Sequence, residues 1–160
     1  MRVWQVQSEI QGRRAALMNA IVSGDEAPPP YVGPLRMPRA EGWADGRVWL
    51  VWRMDPELAN GAGTAFGGYL AALADHALGF ATCSVLDESE GFTTSELQMH
   101  FFRPVLPGAT LRIEAKVVHR GRSRIHAEVV FTREDGRIAG KATATQVIIS
   151  LAPREASADM

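Results

Sequence analysis

Between Asn60 and Leu86 the chain reads NGAGTAFGGYLAALADHALGFATCSVL, a glycine-rich turn running into a long segment of small apolar residues. Alanine and leucine dominate it, so it is expected to be a helix over about 66–85. Its apolar residues go nearly all the way round, as in a helix buried on most sides. Such a helix cannot stand alone, and the rest of the chain must supply its cover. Thr64 is placed to cap its start. Asp75 is the only acid in the segment, and apart from His76 no other charge follows until Asp87.

The cover comes from segments with a different period. Arg47–Met54 is rich in valine and tryptophan and predicts a strand. In 94–103, Leu97, Met99 and Phe101 alternate with Glu96, Gln98 and His100. In 110–119 the apolar set is Leu111, Ile113, Ala115 and Val117, and in 124–132 it is Ile125, Ala127, Val129 and Phe131. Residues 137–151 form a final strand. Glu134-Asp135-Gly136 predicts a hairpin turn, its Asp-Gly accepting positive φ cheaply. Long strands with one apolar face and a single apolar helix define an α+β chain, an antiparallel sheet curled around one long central helix. The other sheet face mixes charged and apolar residues, which a second subunit could partly cover.

Residues 5–23 predict an additional N-terminal helix, with Val6, Ile10, Leu17 and Ile21 at helical spacing. Prolines at 28, 29, 30, 34 and 38 then predict an extended connection, because proline lacks an N–H and fixes φ. The expected division is 1–44 (helix and proline-rich connection), 45–152 (the sheet and central helix) and 153–160 (a frayed tail). The 160 residues suit one main core. A formal charge of -1 argues against nucleic acid as a partner. One cysteine, Cys83, excludes an internal disulfide framework and is expected to be a small buried hydrophobe. With no secretory leader and no apolar run long enough for a bilayer, a cytoplasmic location is expected, with no membrane partner.

Asp75 admits two accounts. A buried carboxylate is costly unless paired, so it has either a structural partner or a chemical task. As a functional group it would be a general base towards water or a nucleophile towards a carbonyl. Gly67 and Gly68 stand at the helix start, where unpaired N–H groups and the helix dipole favour a developing negative charge. Such donors can form an oxyanion hole. Eight residues separate Gly67 from Asp75, roughly 12 Å along the axis. One chain's pair is therefore too far apart to serve one reacting atom, so if both act, the site is expected between two subunits, with the turn of one facing the acid of the other.

Asn60-Gly61-Ala62-Gly63-Thr64-Ala65-Phe66-Gly67-Gly68, followed by Asp75, resembles the Asn-x-x-Gly-x-x-His-Gly-Gly…Asp motif of phenylacetic-acid-degradation-type (PaaI-like) hot-dog acyl-CoA thioesterases. Thr94 to Pro104, Gly108, Gly121-Arg122 and the closing strand 140–150 resemble later landmarks of the same family. The resemblance covers about residues 45–150. It implies a hot-dog fold, self-association as a dimer or dimer of dimers, and active sites at subunit interfaces. Asp75 matches the catalytic carboxylate, Gly67 the backbone donor to the thioester carbonyl, and Asn60 the polar residue that helps place carbonyl or water. Thr94 matches a Ser or Thr from the opposing subunit that holds the water or the acid, with Thr93 next to it should the register slip. Phe66 and Gly68 would border the substrate. Arg122 and Arg103 would meet coenzyme A phosphates, for which arginine forks are suited.

One position departs from that pattern: Phe66 stands where the family has histidine. His76 does not replace it, since neighbouring helix residues point about 100° apart, and it is expected to pack. The expected reaction is hydrolysis of an acyl-CoA to a carboxylate and free coenzyme A, with no metal and no cofactor beyond the coenzyme A of the substrate. The alternative is a non-catalytic acyl-CoA binder or sensor, and the Phe66 change points in that direction. A hydratase would need a different His–acid spacing from that of Asp75-His76.

Overall fold

The computed structural model describes residues 3–151, with side chains from residue 12 onward. The tail at 153–160 and the side chains of Val6 and Ile10 lie outside the described residues. The elements in order are α1 (Val3–Ser23), β1 (Ala40–Ala44), β2 (Arg47–Arg53), α2 (Gly67–Cys83), β3 (Glu90–Phe101), β4 (Thr110–Arg120), β5 (Arg124–Arg133) and β6 (Ile138–Ser150). The six strands form one antiparallel sheet in the order β1-β2-β4-β5-β6-β3. This is the hot-dog arrangement, with α2 lying along one face of the sheet.

Packing against that face explains the composition of α2. Leu73, Ala74, Ala77, Leu78 and Ala81 are fully buried against Val48, Leu50, Leu111, Ile113, Val129 and Phe131. Ala127, Ala142 and Ala144 are also buried, and alanine on both layers lets helix and sheet approach closely. Burying each leucine contributes roughly 1.5–3 kcal/mol. At the β5–β6 turn, Gly136 has φ 77° and its N–H donates to Arg133 O, as the Asp-Gly pair implied.

Among the described residues β3 lies at the edge of the sheet and pairs only with β6. A bulge between Thr94 and Glu96 interrupts its register. This extra residue puts Phe92 and Thr94 on the same side as Leu97, Met99 and Phe101, which strict alternation forbids.

Several expectations change. Residues 40–44 form a strand where the sequence suggests only connection, because Gly42 and a short alternation conceal it. It pairs with β2, and the ring of Trp49 lies over Gly42: a β-carbon there would come 2.3 Å from Trp49 Cζ2. The proline-rich segment is not extended. Its N–H groups at Val32, Leu35, Arg36 and Met37 close turns onto Pro29, Tyr31, Gly33 and Val32 carbonyls. It is docked on α2, with Tyr69 Oη donating to Leu35 O at 2.8 Å. Among the described side chains of α1, Met18 is the buried apolar one, whereas Leu17 is 44% exposed.

Candidate active site

Turn 60–64 is organised by Asn60. Its Oδ1 accepts from the N–H of Ala62 (2.9 Å) and of Thr64 (3.2 Å), and its Nδ2 donates to Thr64 Oγ1 at 3.1 Å. Thr64 is thereby drawn into the turn and does not cap α2. The N-cap is Phe66, which makes no side-chain capping bond. Among the described residues the N–H groups of Gly67 and Gly68 find no acceptor, as expected of the first helical positions. Two phenylalanine rings flank them. Phe101 lies against Gly67, where a β-carbon would come 3.2 Å from its Cζ, and Phe66 covers Gly68, where a β-carbon would come 2.5 Å from its Cε1. Both rings are more than half exposed, at 54% and 57%.

Asp75 lies two turns further along α2. Within the single chain it is exposed and not buried, because it points away from the sheet towards the edge strand β3. Thr94 Oγ1 donates to its Oδ1 at 2.8 Å, leaving Oδ2 without a partner among the described residues. The bulge selects Thr94 for this contact; Thr93 is exposed on the other side of the strand and makes no bond to the acid. The resemblance implied a threonine from the opposing subunit, but Thr94 reaches Asp75 of its own chain. One turn on, Phe92 lies against Gly79, where a β-carbon would come 3.3 Å from its Cζ. β3 thus crosses α2 over a line of glycines, with Asp75 between them.

The groove at the start of α2 has a volume of about 400 Å3 and includes Asn60, Gly67, Phe101 and Arg103 in its lining. Arg103 is held there by a 2.6 Å bond from Nη1 to Ile138 O. Arg122 is exposed in the β4–β5 turn, beside the segment where Ser123 O accepts from Ile148 N. That turn lies towards the other end of α2, so one chain does not bring Arg122 and Arg103 together. Arg120, in the same region, is engaged with Val85 O and Glu90.

His76 packs, as expected. A carbonyl oxygen only accepts, so Nε2 carries the hydrogen and donates to Pro38 O at 2.9 Å. Nδ1 then accepts from Tyr31 Oη at 2.8 Å. Burial lowers the pKa of His76, against weaker opposing effects of Pro38 O and Asp75. The Tyr31 hydroxyl is raised, first by burial and then by the charge of Asp75. Burial pushes the Cys83 thiol up to about 11, leaving it un-ionised at neutral pH.

Two features escaped the sequence. The Tyr31–His76 pair links the proline segment to the residue beside Asp75, and no periodicity marks a loop tyrosine for that role. Gln146 pairs with Thr94 across β3–β6 and is fully buried. Thr82 Oγ1 donates to its Oε1, while Nε2 has no partner among the described residues.

A hot-dog sheet over one helix, with orphan N–H groups at the helix start and a carboxylate on its open side, is the architecture of a class of thioester hydrolases. Residues 62–139 match the Thioesterase superfamily family model. The chain is 30% identical over 104 residues to SSO2140 of Saccharolobus solfataricus, which carries an esterase name, covering 65% of this chain and 73% of that protein. A thioesterase-named protein of Streptococcus pneumoniae with coenzyme A superposes with a TM-score of 0.69 at 25% identity, covering 74% of this chain and 91% of that one. A phenylacetic acid degradation-related protein of Ralstonia eutropha, also named a thioesterase, gives 0.70 at 25%, covering 81% and 98%. The fold is also that of the Escherichia coli PaaI protein of the phenylacetic acid degradation operon, with a TM-score of 0.72 at 20% identity over 89% of this chain and 96% of that one. The chain belongs to the thioesterase superfamily, and its reaction class is thioester hydrolysis.

Proposed function

We propose that the protein hydrolyses an acyl-CoA to a carboxylate and free coenzyme A, with Asp75 as the catalytic carboxylate. The observation that carries this reading is Asp75 itself: an exposed acid on an otherwise apolar helix, held by Thr94 through one oxygen with the other free. Thr94 keeps the carboxylate oriented through its hydrogen bond to Oδ1. Oδ2 then either removes a proton from water as the water attacks the carbonyl carbon, or attacks that carbon itself. Either way the carbonyl oxygen becomes an oxyanion, and the N–H of Gly67 at the helix N-terminus stabilises it. The C–S bond breaks and sulfur leaves as a thiolate. Where Asp75 acts as base, the thiolate takes up the proton Asp75 removed from water and the carboxylic acid is released. Where Asp75 attacks directly, the thiolate is protonated from solvent, and water then hydrolyses the acyl–Asp75 anhydride to release the carboxylate and restore Asp75. The steps use groups of this protein, water and substrate, and call for no metal.

The site is completed by a second copy of the chain. Twelve residues of β3 form a sheet edge, and an unpaired edge is a template for strand addition. Pairing two such edges antiparallel about a two-fold axis continues the sheet and reverses the partner's α2. The partner's Asp75 then approaches the Gly67 end of this chain, which removes the 12 Å problem. The same reversal brings the partner's Arg122 towards Arg103, where the pair can bind coenzyme A phosphates. Phe66 and Phe101 provide apolar walls beside the donor, and Gly68 lets the Phe66 ring lie close. Asn60 acts by holding the turn that presents Gly67. Thr93 has no part in the chemistry.

A panel of short-chain, medium-chain and aromatic acyl-CoAs tests the reading with wild type, Asp75→Asn and Asp75→Ala. Turnover should be present in wild type and lost in both variants. No wild-type turnover, or turnover unchanged by both substitutions, contradicts the assignment. Tight acyl-CoA binding without turnover would instead identify a sensor, the reading that the exposed Phe66 favours.

A further inference from the structure

On the side of β6 that faces α2, Ala142 and Ala144 are buried apolar residues, and the next residue in that alternation is Gln146, also fully buried. Thr82, fully buried in the last turn of α2, donates through Oγ1 to Gln146 Oε1. Gln146 Nε2 is left without an acceptor among the described residues. A buried donor in that condition costs stability, and replacing such a polar pair by apolar groups of the same shape is often neutral or stabilising. Helix docking alone therefore does not account for a glutamine here.

Its place in the sheet does. Gln146 is the direct cross-strand partner of Thr94, and the next matched pair is Glu96 with Thr145. Ser95 is the extra residue of the bulge, its Oγ donating to Thr145 O at 3.0 Å. Gln146 thus stands opposite the point where β3 changes register and turns Thr94 towards α2. Directly paired residues share one face of a sheet. Both therefore reach α2, Thr94 at Asp75 over 2.8 Å and Gln146 at Thr82. Asp75 and Thr82 are seven positions apart, just under two turns, and lie on one stripe of the helix. Two neighbours of the β3–β6 ladder hold that stripe at two points, one beside the open carboxylate and one in the core.

We propose that Gln146 is a positioning residue for the Asp75 carboxylate, acting through Thr94. Anchored on Thr82, it holds the β3 bulge at the distance from α2 at which the Thr94 hydroxyl reaches Asp75 Oδ1. For its effect on rate the inference rests on the thioesterase reading of Asp75, and it adds a residue that touches none of the reacting atoms. The position of β3 is why an anchor is needed. Among the described residues β3 has a neighbour on one side only, whereas β6 lies between β5 and β3. A bulge also interrupts the ladder that would otherwise fix the strand. A side chain bonded from β6 to α2 therefore sets the height of the edge strand that carries Thr94. An apolar residue at 146 would fill the space but leave the bulge free to shift, and a misplacement of about 1 Å can cost a reaction about a hundredfold.

The test breaks the anchor from each end. Gln146→Met keeps the length of the side chain and removes its polar head, and Thr82→Val removes the hydroxyl on α2. Leu78→Ala, which opens the core elsewhere on the helix, is the structural control. On the best acyl-CoA of the panel, both anchor variants should lower kcat by roughly tenfold with KM unchanged. Neither should lower it further once Thr94 is valine, because the three residues act as one unit. Gln146→Met should unfold at the wild-type midpoint or above it, since Thr82 can return its hydroxyl to a helix carbonyl one turn back. The carbon-13 resonance of the Asp75 carboxyl gives a readout that needs no turnover. It should move in Gln146→Met and Thr82→Val in the direction set by Thr94→Val, and stay in place in Leu78→Ala. An unmoved resonance, or unchanged kcat in both anchor variants of an active enzyme, overturns the positioning role and leaves the thioesterase reading standing. A resonance that moves in a protein without wild-type turnover upholds the positioning of Asp75 and overturns the thioesterase reading.

Discussion

On the sheet side of α2, Leu73, Ala74, Ala77, Leu78 and Ala81 are fully buried, whereas Gly67, Gly68, Asp75 and Gly79 on the other side meet only turn residues, β3 and solvent. Both sides are made of small residues, for different reasons. On the first, alanine lets the helix settle into the sheet and leucine fills the space between. On the second, the absence of side chains brings the edge strand to the backbone and leaves N–H groups and one carboxylate oxygen without partners among the described residues. The first side is a matter of stability and the second of chemistry, and substitutions should separate them.

Asp75→Asn should have the largest effect, about a thousandfold loss of kcat on the best acyl-CoA, because an amide neither takes the proton nor attacks the carbonyl. Its thermal unfolding should be close to wild type, since the position is exposed. Leu78→Ala reverses that pattern: denaturant unfolding should show a loss of about 2–5 kcal/mol from the cavity left behind, with kcat little changed in the folded fraction. Thr94→Val removes the hydrogen bond to Asp75 and should lower kcat by roughly tenfold to a hundredfold, as expected for a bond to a charged group. Thr93→Val should change neither kcat nor stability measurably, and an effect equal to that of Thr94→Val would break the assignment of the bulge.

The smallest effect concerns pH. Burial holds the folded-state pKa of His76 below its ordinary value of about 6.5. As pH falls below 6.5 the unfolded chain takes up a proton that the folded protein resists, so stability is full above that pH and declines towards the lowered folded-state value. Unfolding midpoints measured from pH 8 to 5 should show this decline, and His76→Gln should reduce it.

The long strands and both helices were legible because burial imposes periods that survive in the sequence. The alternation in 110–119 and 124–132 corresponds to buried Leu111, Ile113, Ile125 and Phe131. What was not legible depends on single-residue geometry. Nothing in Thr93-Thr94-Ser95 announces the bulge that turns Thr94 towards α2. Five prolines suggest an extended chain, but the turns at 29–37 depend on what they dock against, namely His76 and Tyr69. Asp75 looked buried because its neighbours in sequence are apolar, although its own direction is towards the open side of the helix. A carboxylate in that position is covered only when another molecule comes, whether substrate or a second copy.

The central claim is that Gly67 and Asp75 act across a subunit boundary. Gly67 is the first residue of α2 and follows the extended Phe66, so Gly67→Pro deletes the donor N–H at a position that tolerates proline. Gly67→Pro and Asp75→Asn proteins, each nearly inactive alone, are unfolded together, refolded together and assayed. Random pairing makes half the dimers mixed, each with one intact site, so roughly a quarter of wild-type activity should return. Mixtures that stay as inactive as their components, with mixed dimers demonstrated by mass, would contradict the shared site.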